Sequence, residues 1–420
     1  MKLLVLSPVF PDAPSDGDRL RLYHWIAELG RRHEVHLACF VDPARAADQG
    51  PSSLGERLRG IHRVAWPRRR RLLAAGARLL GPAPSGVAAL ASRAMRDLVD
   101  SLAGPAARPS PGGAPFDAVL SYRLKMAPYA LRFRGPRFLD YTDSMTRYTE
   151  RRAADLALRG RPLRAAFARV QAGRLAAYEA WCASQFDAGF FNARQDCEAV
   201  RAMRPAVAPS LHVAANGVDA DAFRAPRQGR VAASRAAAKD PFELLFVGHL
   251  AYAPNADAVA WFASSVLPLV RARVPKAFFT VVGGDASPGL LALGSLPGVR
   301  FTGFAPDTRP HLWRAGVSVC PVRTGAGRQN KLLEAFAAGL PAVATGLAAR
   351  SAEARDQEHV LVADDAPSFA DAVIRLLDRP ALGRRLAKNA GALVRRTYVW
   401  PANASVLEGA MLGARRRPLW

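Results

Sequence analysis

An alternation of short apolar runs with helical patterns occurs twice in this chain, and it constrains the fold more than any other feature. The first series of runs is KLLVLS (2–7), EVHLACF (34–40), DAVLSY (117–122), RFLDYTD (137–143), AGFFNA (188–193) and LHVAANG (211–217). The second is FELLFVG (242–248), AFFTVVGG (277–284), VRFTG (299–303), VSVCPV (317–322), PAVAT (341–345) and VLVAD (360–364). Runs this short and this apolar suit strands covered on both faces, and strands that alternate with helices suit parallel sheets. Helices are expected at about 19–29, stopped by Gly30, and at about 162–184. RAPRQGRVAASRAAAKD (224–240) lacks aromatic residues and has one valine as its only large aliphatic, so it reads as a linker. The fold class is α/β, with two doubly wound Rossmann-like domains facing a cleft. The expected boundaries are 1–225, a linker at 226–240, a second domain at 241–395, and a final helix with a basic tail at 396–420. A long basic stretch, 42–115, is punctuated by Pro and Gly and is given no strand.

A chain of 420 residues, half of them hydrophobic, can build two such cores. Its formal charge is +24, from 59 Lys+Arg against 35 Asp+Glu. That excess points to nucleic acid, an anionic membrane face or phosphorylated substrates, although a genome bias toward arginine yields the same composition. No nucleic-acid reading motif accompanies the charge, so nucleic acid is not an expected partner. Cys39, Cys182, Cys197 and Cys320 form no CxxC pair, and two of them lie inside apolar runs. Packed, reduced thiols in a cytoplasmic protein fit this pattern. MKLLVLSPVF is too short for a signal peptide, and no apolar run reaches the length of a membrane span. PRRRRLLAAGARLLG (67–81) reads either as a helix with a solvated charged face or as a membrane-surface helix drawn to anionic lipid. The second reading is preferred, because an insertion between early strands is where acceptor specificity would be built. It places the protein peripherally on the inner face of the cytoplasmic membrane.

In open α/β sheets ligands bind beyond the carboxyl ends of the strands, and the polar motifs fall there. GAGRQNKLLEAFAAGLPAVAT (325–345) follows the run VSVCPV. Gly325 and Gly327 permit close backbone approach, while Arg328 and Lys331 add cations where a helix start already favours an anion such as a diphosphate. Glu334 shares a helix face with Lys331 and is placed to accept ribose hydroxyls. A solvated Lys–Glu pair on an ordinary helix closed by Gly339 explains the same residues. Asn216 opens NGVD, which a domain-closing turn also explains. VVGGD (281–285) is a strand ending in a Gly-rich turn and is not a dinucleotide fingerprint. Gly17 and Asp18 sit in the first loop, where Asp18 either caps a helix or meets a ligand. Asp140 and Asp143 end a strand; one carboxylate there can orient an acceptor hydroxyl, and buried capping is the competing role. His249 follows FVG at the mouth of the second sheet, and His24 reads as structural.

Taken in order, FLDYTD, NGVD with Phe223, FVGHL, VVGGD, VRFTGFAPD, the long 317–345 stretch, and Tyr398 with Trp400 resemble a GT-B glycosyltransferase of the large retaining family 4. SPVFPDAPSDGDRLRLYHW (7–25) further resembles the exopolysaccharide sugar transferases found with exosortase (PEP-CTERM) systems. The resemblance implies a nucleotide-diphosphate sugar on the C-terminal domain and a glycan or lipid-linked acceptor on the N-terminal one. It also implies a last helix that crosses back to the first domain, retention of configuration, no cofactor and no metal. Lys331 and Arg328 would hold the pyrophosphate, Glu334 the ribose, and Gly325 and Gly327 the donor through their backbone. Gly17 and Asp18 would approach the phosphates. The chain departs from the family pattern at Ala326, where the first glutamate of an E-x7-E pair is usual (Glu334 matches the second), and at His249 and Pro254, where a basic pair is usual. The departures keep open a non-catalytic scaffold of the same fold, and the shared two-domain architecture keeps open a nucleotide-sugar 2-epimerase.

Overall fold

The computed structural model describes residues 1–11, 17–44, 54–67, 83–103, 116–158, 160–224, 239–325 and 328–415. The chain forms two compact units, Met1–Ala215 with Trp400–Trp420, and Asn216–Val399. The expected linker (226–240), most of the basic segment 67–81, Ala326, Gly327 and the end of the tail fall largely or wholly outside the described residues.

The first unit is built on seven parallel strands: β1 (Lys2–Ser7), β2 (Glu34–Val41), β3 (Gly60–Ala65), β4 (Ala118–Tyr122), β5 (Arg137–Thr142), β6 (Ala188–Phe191) and β7 (Leu211–Val213). Their order is β3-β2-β1-β4-β5-β6-β7, which reverses direction between β1 and β4. Both faces are apolar. Leu3 and Val5 join one core layer with Trp25, Phe138 and Phe190, and Leu4 and Leu6 join the other with Phe40, Met126 and Phe191. That two-sided burial is why the strands read as continuous apolar runs. The helices that bear on function here are α1 (Gly17–Leu29), α2 (Met145–Leu158), α3 (Pro162–Gln185) and α4 (Arg194–Met203).

Strand β3 departs from the sequence expectation, which left residues 42–115 without one. Its sequence, GIHRVA, buries only Val64, because it pairs on one side alone, with β2. An edge strand of this kind lacks the apolar signature of its neighbours.

The second unit has six parallel strands: β8 (Glu243–Val247), β9 (Phe278–Val282), β10 (Val299–Gly303), β11 (Val317–Cys320), β12 (Ala342–Ala344) and β13 (Leu361–Val362). Their order, β10-β9-β8-β11-β12-β13, again reverses, between β8 and β11. Helices α5 (Ala253–Trp261), α6 (Asn330–Ala337), α7 (Ala366–Asp378) and α8 (Pro380–Thr397) flank the sheet. NGVD and Phe223 belong to this unit rather than to the first. Val218 donates to the Tyr398 carbonyl at 2.7 Å, and the Phe223 carbonyl accepts from Trp313 Nε1 at 2.7 Å.

Helix α9 (Trp400–Arg415) returns to the first unit and packs on α1. Trp400 stacks on His24 at 4.2 Å and meets Trp25 edge-on at 5.6 Å. Glu408 Oε1 lies 2.8 Å from His33 Nε2, and Asn403 Oδ1 accepts from the Ala215 amide at 3.0 Å. All four cysteines are buried. Among the described residues no helix is long and apolar enough to cross a membrane.

Candidate functional site

The site with the most developed chemistry lies in the second unit, where the strand order reverses between β8 and β11. Open α/β sheets leave a crevice at that point. Two glycines open it. A Cβ on Gly283 would stand 1.9 Å from the Gly248 carbonyl oxygen, so the loops after β8 and β9 touch backbone to backbone. Gly325, beyond β11, has φ +117°, which side chains other than glycine's rarely tolerate, and it packs against Pro254 and Tyr252.

Helix α6 starts five residues after Gly325. Leu332, Leu333 and Phe336 are fully buried and hold it against the sheet, and Gly339, with φ +71°, stops it. Lys331 and Glu334 therefore share the face that is only partly covered. Lys331 Nζ donates to Asn255 Oδ1 and Gln329 Oε1, each at 3.0 Å, and lies 5.3 Å from the centre of the Phe246 ring. Two of its three hydrogens are thus engaged, leaving one for a ligand. Asn255 in turn donates to the His249 carbonyl at 2.9 Å, tying α5 to the loop after β8. The Glu334 carboxylate accepts no hydrogen bond among the described residues. Burial pushes the Lys331 ammonium down and the Glu334 carboxyl up, and each charge partly offsets the shift of the other. A cation that burial leaves short of solvation gains from an incoming phosphate, and a buried carboxylate gains from hydroxyl donors. Arg328 is buried with its guanidinium 4.4 Å from the Tyr398 ring centre, and the Tyr398 hydroxyl is anchored on the Ala352 carbonyl at 3.0 Å. The structure thus brings Gly325, Arg328, Lys331 and Glu334 to one edge.

His249 stands at the same edge, largely exposed, with Nδ1 3.5 Å from Asp285 Oδ2. Asn216 is buried in this unit, and Asp219 caps the short helix Ala220–Phe223 by accepting from the Ala222 amide at 2.9 Å. Asn255 was missed by sequence reasoning: a single asparagine within a helical pattern carries no sign of a lysine 76 residues away.

In the first unit, the two carboxylates of the β5 loop separate. Asp140 is fully buried and accepts from Arg21 Nε and Nη2 at 2.8 and 3.1 Å and from Trp25 Nε1 at 2.7 Å. It anchors α1 to β5, which is the buried role that competed with acceptor orientation for this pair of carboxylates. Thr142 follows with φ +67° at a register shift in the β5–β6 ladder. A β-branched residue in that region is strained, and such strain concentrates at functional edges. Asp143 comes next, half-buried, close enough to Asp196 for the two carboxylates to repel. Burial, aided by Asp143 and opposed by Arg147, pushes Asp196 up to about 6. Asp196, at the start of α4, is a second residue that the sequence did not single out. Gly17 begins α1, while the side chain of Asp18 and the whole of Gly327 lie outside the described residues.

Residues 241–379, a third of the chain, match the sequence profile of the family described as glycosyl transferases group 1. Nearly the whole chain superposes on several solved structures. Anabaena HepE in complex with UDP has a TM-score of 0.64 at 14% identity, covering 98% of this chain and 100% of HepE. This is the GT-B fold. Sucrose-phosphate synthase from Thermosynechococcus elongatus gives 0.66 at 17% identity, covering 98% of this chain and 99% of that one. The α,α-trehalose 6-phosphate synthase of Burkholderia multivorans gives 0.64 at 14% identity, covering 98% of each. No curated protein matches the sequence.

Proposed function

We propose that this protein is a GT-B glycosyltransferase whose second unit binds a nucleotide-diphosphate sugar at the β8–β11 edge. One observation carries the reading: a half-covered lysine and an unengaged glutamate, one helical turn apart at a helix start, lie inside the segment that matches glycosyl transferases group 1. That HepE was solved with UDP supports a nucleotide donor.

In this reading Lys331 and Arg328 take the diphosphate and Glu334 the ribose hydroxyls. Gly325 and Gly327 give backbone contacts, and His249 and Asn216 border the donor. Gly17 and Asp18 act from the first loop. The bond from the sugar's anomeric carbon to the diphosphate oxygen breaks, and the acceptor oxygen forms its bond on the same face. The acceptor proton passes to the leaving phosphate oxygen. Basic side chains and the helix N-terminus neutralise that oxygen without a metal or cofactor. Asp143 orients the acceptor hydroxyl. The acceptor is a glycan, lipid-linked, in bacterial exopolysaccharide or cell-surface synthesis, handled at the inner face of the cytoplasmic membrane.

The test is acceptor-dependent release of nucleoside diphosphate, with the anomeric configuration of the product read by NMR. Lys331→Ala and Glu334→Ala are expected to lose donor affinity. Asp143→Asn is expected to keep donor affinity and lose transfer. Donor binding without any transfer would favour the scaffold reading, which Ala326 and His249, standing where the family has a glutamate and an arginine, support. Conversion of the donor sugar without acceptor would favour the epimerase.

A further inference from the structure

The first unit carries an apolar surface that this chemistry does not use. Helix α3 turns small residues inward. Ala165, Ala168, Ala172 and Ala183 are buried, which lets it lie close to α2. The opposite face is not polar. Leu163, Phe167, Val170 and Trp181 stand at i, i+4, i+7 and i+18, one stripe of the helix, and are 86, 46, 56 and 41% exposed. Leu158, which ends α2 just before the turn, is 89% exposed. Arg174, half-buried, lies on the same line between Val170 and Trp181, so the apolar part is a patch of about 10 Å from Leu163 to Val170, with Trp181 beyond the arginine. Scattered exposed leucines need no explanation, but three aligned apolar side chains next to Leu158 do.

The charge beside the stripe has one sign. Arg161, Arg164 and Arg169 are exposed and pair with no acid among the described residues. Between Asp155 and Glu179 the chain has no acidic residue. Glu179 itself is buried, where it accepts from the Ser144 and Thr146 hydroxyls at 3.0 and 2.7 Å. A second copy of the chain laid on this face would bring arginine against arginine. An anionic bilayer suits both features. Apolar side chains enter the boundary between headgroups and acyl chains while guanidinium groups fork to lipid phosphates. Trp181, stacked with Tyr178 at 5.6 Å, is the kind of side chain that settles at that depth.

We propose that the outer face of Pro162–Gln185, together with Leu158, docks this protein on an anionic phospholipid surface. The inference deepens the membrane partner of the proposed function, and it rests on a different element from residues 67–81. The experiment is flotation of the full chain with phosphatidylcholine vesicles, with and without phosphatidylglycerol, over a salt series. The wild type should float only with the anionic vesicles, and less as salt rises. Leu163→Gln with Phe167→Gln should lower partitioning about tenfold or more. Replacing Arg161, Arg164 and Arg169 by Gln should lower it on the order of a hundredfold. Melting temperatures should stay unchanged, since all five side chains are exposed. Three results overturn the proposal: no flotation of the wild type; full binding by both variants; or a dimer in sedimentation that the Leu163/Phe167 variant dissociates while vesicles remain inert. A donor-induced thermal shift measured without lipid should be the same in these variants. Its absence in the wild type would count against the glycosyltransferase reading and leave the docking surface standing.

Discussion

Replacing Asp140 by leucine tests whether the first unit is pinned through its buried ion pair. Both side chains of the Arg21–Asp140 pair are wholly excluded from solvent. Besides its bonds to Asp140, Arg21 donates through Nη1 to the Ala214 carbonyl at 2.8 Å, and Asp140 Oδ1 also accepts from the Thr142 amide at 2.8 Å. The variant takes the carboxylate away from a buried guanidinium and leaves the Trp25 indole N–H without its Asp140 acceptor. Breaking a buried pair from one side costs about 3–5 kcal/mol. For a unit of this size that corresponds to a fall in Tm of roughly 6–20 °C. Scanning calorimetry of the full chain reads it directly. Arg21→Met combined with Asp140→Leu removes both charges and should recover most of the loss, because an apolar pair of similar volume often replaces a buried ion pair without cost. A shift under about 2 °C for the single variant, or a double variant less stable than the single, would refute the argument.

Three further outcomes follow from the geometry. Gly283→Ala places a methyl group against the Gly248 carbonyl and should destabilise the second unit by about 1–3 kcal/mol or more, read by urea unfolding. Gly289→Ala, where a Cβ meets nothing within 4 Å, should be near neutral in the same assay. Asp196, held up at about 6 in the folded protein, keeps its proton where the unfolded chain has already released it. Folded molecules therefore bind more protons between about pH 4 and 6, and stability falls as pH rises through that window. Asp196→Asn should flatten this part of the urea-midpoint profile, and a steeper fall in the variant would contradict the assignment.

Much of the fold is visible in the sequence because parallel strands buried on both faces leave apolar runs, and all such runs coincide with strands. The edge strand β3 stays hidden because Gly60 and Arg63 interrupt it and a single neighbour covers it. The donor-side cluster is visible through local grammar, since Gly325, Arg328, Lys331 and Glu334 fall within ten residues around one helix start. What the sequence hides is partnership at a distance. Arg21 and Asp140 are 119 residues apart, so nothing local says that Asp140 rather than Asp143 is consumed by an ion pair. Asn255 reaches Lys331 only through the reversal of strand order, and Asp196 meets Asp143 only because β5 and β6 are neighbours.

The central claim is that α6 and its flanking loop hold a nucleotide-diphosphate sugar. The most direct measurement is a thermal-shift screen of wild type, Lys331→Ala and Glu334→Ala against UDP-, GDP-, ADP- and dTDP-linked sugars, with magnesium or EDTA. A ligand that binds only the folded state stabilises it by mass action, by about 2.7 kcal/mol at a hundred times its Kd. The account predicts a rise in Tm of the wild type with one nucleotide class, the same in EDTA, and loss of that rise in both variants while their unliganded Tm is kept. No rise with any donor, or an equal rise in both variants, would contradict it.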